Sequence, residues 1–155
     1  MVQTATDKAK DLIKEFVNFS ANYLTLDFFE GITDEKLKRM EDFADKFLII
    51  FNRLKTEKDF ENFKKVYEIL GINEKRIVLE FIGYSKNLKF SDFLFDIAKS
   101  NSFYSIDGII SLGQIGGHEN ISRLESLLDN SNDEVYSKVL RSVIHNLKKE
   151  AIASV

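Results

Sequence analysis

Apolar residues recur at intervals of three and four along almost the whole chain, and no proline interrupts them in 155 residues. That spacing lines one face of an α-helix with apolar side chains. Strands joined by tight turns would need a richer supply of proline and of glycine, of which there are only seven. The chain is therefore expected to be all-α, with amphipathic helices joined by short polar turns.

Start and stop signals divide the pattern into eight helices. The first begins after Thr6, carries Leu12, Ile13, Phe16, Val17, Tyr23 and Leu24 on one side, and ends near Gly31. Thr33 caps the second, with Asp34 and Glu35 in its first turn, where negative charge suits the helix dipole. Its buried stripe is Leu37, Met40, Phe43, Phe47 and Phe51. The third follows Thr56, turns Phe60, Phe63, Val66, Tyr67 and Leu70 inward, and stops at Gly71. Asn73 caps a short fourth helix with Ile77, Val78, Phe81 and Ile82, and Gly83 ends it. The fifth spans about 90–99, the sixth about 103–115 and the seventh about 121–128. The Gly116-Gly117 pair breaks the sixth. The last begins after the caps Ser131 and Asn132 and runs through Val135, Val139, Val143, Ile144 and Leu147.

One self-similarity stands out. The run Ile77-Val78-Leu79-Glu80-Phe81-Ile82-Gly83 matches Ile110-Ser111-Leu112-Gly113-Gln114-Ile115-Gly116. Ser85-Lys86-Asn87-Leu88 then aligns with His118-Glu119-Asn120-Ile121, and Leu94-Phe95-Asp96 with Leu127-Leu128-Asp129. Every pair lies thirty-three residues apart. Periods of roughly 20–50 residues indicate stacked helical units, each exposing an apolar face that a neighbouring unit covers.

The stretch from Tyr104 to Leu147 resembles a HEAT repeat of the short bacterial type. Ile110, Leu112, Ile115 and Gly116 stand on a first helix, Ile121, Leu124, Leu127 and Leu128 on a second, and Asp129, Asp133, Glu134 and Val135 lead into the next. The chain departs from the family in lacking a first-helix proline and in carrying Tyr136 where an arginine is frequent. The repeat class stays open between HEAT-like, armadillo-like and a divergent helical array. The resemblance implies one domain over 1–155, a right-handed α-α superhelix of about four helical hairpins. Residues 57–155 form the repeats, and residues 1–56 are divergent or capping helices.

Composition narrows the function. Without cysteine there is no disulfide, no thiolate zinc site and no thiol catalysis. The polar N-terminus has no apolar signal core, and the run Phe47 to Phe51 is too short to span a bilayer, so a cytoplasmic protein is expected. The net charge of −3 argues against nucleic acid, whose phosphates call for a basic surface, although it does not exclude a local basic patch. The basic pairs Lys64-Lys65, Lys75-Arg76 and Lys148-Lys149 are scattered.

No arrangement of reactive side chains stands above an ordinary explanation. His118 sits in a glycine-bounded turn, and His145 has no ligand at metal spacing beside it. Gly113-x-x-Gly116-Gly117 closes a helix instead of opening one after a strand, so it is no phosphate loop. Glu41 and Asp45 share a helix face, as solvated carboxylates commonly do. No catalytic residue, metal or cofactor is expected.

What remains are surfaces. Fourteen phenylalanines include the neighbours Phe28-Phe29 and the set Phe90, Phe93 and Phe95, and one helix cannot turn two neighbours toward one core. Acidic residues gather twice: Asp27 and Glu30, with Asp34 and Glu35, around the first turn, and Glu119, Glu125, Asp129, Asp133 and Glu134 around the later turns. Aromatics are enriched at interface hot spots, and acidic surfaces steer cationic partners. The expected function is a non-catalytic protein-binding module, in a narrower form an immunity-type protein that neutralises a basic toxin. The partner-binding candidates are Asp27, Phe28, Phe29, Glu30, Glu119, Glu125, Asp129, Asp133 and Glu134. A nucleic-acid-binding HEAT-like protein and a small regulatory subunit of a larger assembly are the alternatives.

Overall fold

A computed structural model describes residues 34–153 apart from residue 101, together with Asp7, Asp11 and Lys14. Apart from Asp7, Asp11 and Lys14, the expected first helix lies outside the described residues, as do the cap Thr33 and the candidates Asp27, Phe28, Phe29 and Glu30. Within them the chain is all-helical. In order come α1 (Asp34–Arg53), α2 (Glu57–Glu68), α3 (Ile72–Ser85), a 3-10 turn (Leu88–Phe90), α4 (Ser91–Lys99), α5 (Ser105–Ile115), α6 (His118–Asp129) and α7 (Glu134–Ala153). No described helix is long and apolar enough to cross a membrane. The chain forms two compact units, Met1–Phe81 and Ile82–Val155, whose boundary falls inside α3.

In the first unit, Phe47, Ile50, Phe51 and Leu54 recur at helical spacing and are buried, as are Phe63 and Tyr67 of α2. Rings meet in this core, beside buried Ile50, Leu54, Val78 and Leu79. Phe47 stacks on Phe51 and on Phe81, with centroids 5.5 and 4.7 Å apart, and Phe51 meets Phe63 edge-on. Thr56 starts α2 as expected, through a reciprocal capping box. Its hydroxyl accepts from the Asp59 N–H, and the Asp59 carboxylate accepts from the N–H groups of Thr56 and Lys55. Those two backbone donors hold the Asp59 carboxyl below its ordinary range. The helix ends at Glu68, before the expected stop at Gly71.

In the second unit α4 packs along α5, α6 along α7, and α5 along α7. Its core is mainly aliphatic: Ile82, Leu94, Ile109, Leu112, Leu124, Leu140 and Leu147 are buried, with Phe90 and Phe93 among them. Helices approach closely where glycine stands. A Cβ on Gly113 would lie 2.5 Å from Cγ1 of Val143, and one on Gly108 would lie 3.0 Å from the Ala98 backbone nitrogen.

The structure revises the repeat register. α3 and α5 end thirty residues apart, at Ser85 and Ile115, and α4 and α6 also end thirty apart, at Lys99 and Asp129. Burial keeps the same offset: Leu79 pairs with Ile109, Ile82 with Leu112, and Leu94 with Leu124. Lys86 and Gly116, the positive-φ residues after the two helices, fit it too. The thirty-three-residue match is a slip of three. Positions three apart share a helix face, so the slip preserves the apolar pattern while misplacing the turn.

Gly83 therefore does not end its helix. It lies inside α3, where a Cβ would come within 3.2 Å of the Ser111 Cα of α5. Its counterpart is Gly113, which seats α5 against Val143 of α7 in the same way. Gly116 is a true stop, with φ +82° and an N–H donated to the Leu112 carbonyl. Asn73 lies within α3, whose first residue is Ile72, so it is not the residue before the helix. The last helix is capped by Asp133, whose Oδ1 accepts from the Tyr136 N–H at 2.8 Å, and not by Ser131 or Asn132. Val135 faces solvent.

Candidate functional site

The five described candidates separate into two roles. Glu125 is half-buried and pairs with Lys148 of α7 at 2.7 Å, so it ties two helices together. Asp133 is the cap of α7 yet stays exposed. Asp129, at the end of α6, and Glu134, at the start of α7, are also exposed, so these three meet at one connection. Glu119 is exposed in the first turn of α6, about 15 Å away along the helix axis.

A single hydrogen bond decides what else lies at that end. The Tyr136 hydroxyl donates to the Ala98 carbonyl at 2.6 Å, which joins the first turn of α7 to the last turn of α4. Burial pushes this hydroxyl's pKa up. The connection from α4 to α5 is therefore next to the connection from α6 to α7. Hydroxyls shape the first of these. Ser100 Oγ lies 2.6 Å from Ile97 O, to which it donates, and 2.8 Å from Ser102 Oγ, while Ser105 Oγ accepts from the Ser102 N–H and donates to Ile97 O. The knot leaves Phe103 outside, 70% exposed, with its ring edge-on to Tyr104. Ile106 and Ile110 follow on the exposed side of α5, and Val135 of α7 is 65% exposed.

This end of the second unit thus carries exposed apolar side chains from two helices and three carboxylates. The sequence pattern names the carboxylates but misses Phe103 and Val135. Phe103 belongs to no helical stripe and Val135 reads as part of one, so periodicity alone hides both.

The phenylalanines of the 3-10 turn and α4 are not an open patch. Phe90 and Phe93 are buried, and Phe95 is covered by two cations, Arg123 at 5.3 Å and Lys99 at 5.1 Å from its ring centre. Arg123 also holds Asp92 at 2.6 Å, so this cluster clamps α6 to α4.

His145 is exposed on α7. His118 is the first residue of α6 and is exposed. It stands on a cleft of about 170 Å³ that Gly116, Ile121, Leu147 and Glu150 also line. Ligand pockets for small molecules usually run to about 300–1,000 Å³. Among the described residues no three histidine or carboxylate groups come together in a way that could hold a metal ion.

Comparison with known proteins supplies no relative: no family model matches the chain, and neither does any curated protein or any solved structure.

Proposed function

We propose that this chain is a non-catalytic protein-binding module built on a right-handed, HEAT-like stack of hairpins. In its narrower form it is an immunity-type protein that neutralises a basic toxin. The observation behind the reading is the mixed end of the second unit. There, exposed Phe103 and Val135 stand at the same end as the carboxylates Asp129, Asp133 and Glu134. An exposed aromatic beside aliphatic groups is the usual core of a protein interface, and a charged rim adds orientation and association rate. A basic partner would meet the rim first and bury the apolar groups second.

The test is affinity capture from nuclease-treated lysate with the wild-type chain and with the Phe103→Glu/Val135→Glu variant. A basic protein retained by the wild type and lost by the variant supports the reading. Equal retention by both overturns the assignment to this end. Without nuclease treatment, recovery of nucleic acid and no protein overturns the protein-partner class.

A further inference from the structure

The sequence scatters its basic pairs, but α7 gathers single basic residues onto one face. Lys138, Arg141, His145 and Lys149 follow one another at steps of three, four and four, and all are exposed. They form a straight stripe about 16 Å long. Among the described residues none of the four takes part in an ion pair, whereas the adjacent Lys148 is turned away to Glu125. Ser142 and Asn146, also exposed, fill the same face. Between Lys138 and Lys149 it carries no acidic and no exposed apolar side chain. Glu134 and Ile152 stand at its two ends.

We propose that this face of α7 binds the phosphate backbone of duplex nucleic acid, without reading sequence. A protein partner would require an apolar centre, which the stripe lacks. An anionic membrane would require an apolar face to insert, and that of α7 (Leu140, Ile144 and Leu147) is buried in the core. Lysine, arginine, serine and asparagine are the side chains that contact phosphate oxygens, and they carry no sequence information there. The acidic remainder of the chain, which brings the net charge to −3, confines a polyanion to this face. The proposal uses a different surface from the protein-binding end and stands or falls separately from it.

The test is a titration of a fluorescent duplex of about 20 base pairs with the full chain, read by anisotropy between about 50 and 200 mM salt. Three permanently charged side chains predict a slope of log affinity against log salt near about −3. The variant Lys138→Gln/Arg141→Gln/Lys149→Gln is expected to lose about tenfold or more in affinity at the low-salt end and to flatten that slope. The variant Arg53→Gln/Lys58→Gln/Lys65→Gln removes the same charge from exposed sites in the first unit and is expected to bind as the wild type does. Equal weakening in both variants overturns the stripe as the site. No duplex binding at low salt overturns the proposal outright. So does stripe-dependent binding of polyglutamate, or of phosphatidylserine vesicles, in place of the duplex.

Discussion

The core that Phe81 closes and the core that begins at Ile82 are filled in different ways. In the first, among the described residues, the rings of Phe47, Phe51, Phe63 and Phe81 touch in a chain, with Ile50, Leu54, Val78 and Leu79 beside them. In the second, aliphatic side chains do most of the filling, and Gly108 and Gly113 let helix backbones approach. An aromatic core fails when volume is removed, because rigid rings leave a hole that neighbours fill poorly. A core with glycine contacts fails when volume is added, because backbone and stiff β-branched side chains cannot move aside.

The sharpest way to break this contrast is to truncate a ring. Phe51→Ala should lose about 3–5 kcal/mol in urea denaturation. A loss under about 1 kcal/mol would mean that the cluster closes over the gap. The complementary change is Gly113→Ala, expected to lose about 1–3 kcal/mol by pushing against Val143. Adding Val143→Ala should recover part of that loss, and strictly additive effects would show that the two sites do not touch.

Gly116→Ala separates conformation from packing. No atom lies within 4 Å of its Cβ position, yet φ is +82° with ψ −158°, a region that favours glycine. It should lose about 1–3 kcal/mol by thermal melting, with no rescue from any neighbour. Smaller still, Thr56→Ala should lose about 1 kcal/mol by removing the cap of α2.

The least effect concerns pH. Because the folded state holds the Asp59 carboxyl below its unfolded pKa, its stabilisation is present above the ordinary carboxylate range. It fades as pH falls through the depressed value. Melting curves of wild type and Asp59→Asn should therefore differ at neutral pH and converge in acid. A gap that persists in acid would locate the effect elsewhere.

The two cores also show why some features were legible and others were not. Thr56 was readable as a cap because capping is local: hydroxyl and receiving N–H lie within one turn. Gly116 was readable for the same reason. Gly83 and Gly113 look like helix stops in the sequence, but their reason is a neighbouring helix, which no local pattern names. Asp133 fits the pattern of surface charge, yet it caps α7 while remaining exposed. Glu125 fits the same pattern and is bound to Lys148. Phe103 leaves no mark in the periodicity because it lies in a serine-bonded turn and not on a helical stripe.

By itself, the amino-acid sequence determined that the described chain would be helical. Local spacing and turn chemistry suffice for that, since an α-helix satisfies its own backbone. The tertiary structure alone decided the thirty-residue register. A helix face tolerates a slip of three residues, and only packing against α5 and α7 distinguishes the true alignment from the slipped one. It alone also decided which charges stay free. Glu125 and Lys148 neutralise each other across two helices, while Lys138, Arg141, His145 and Lys149 are left together on one open face.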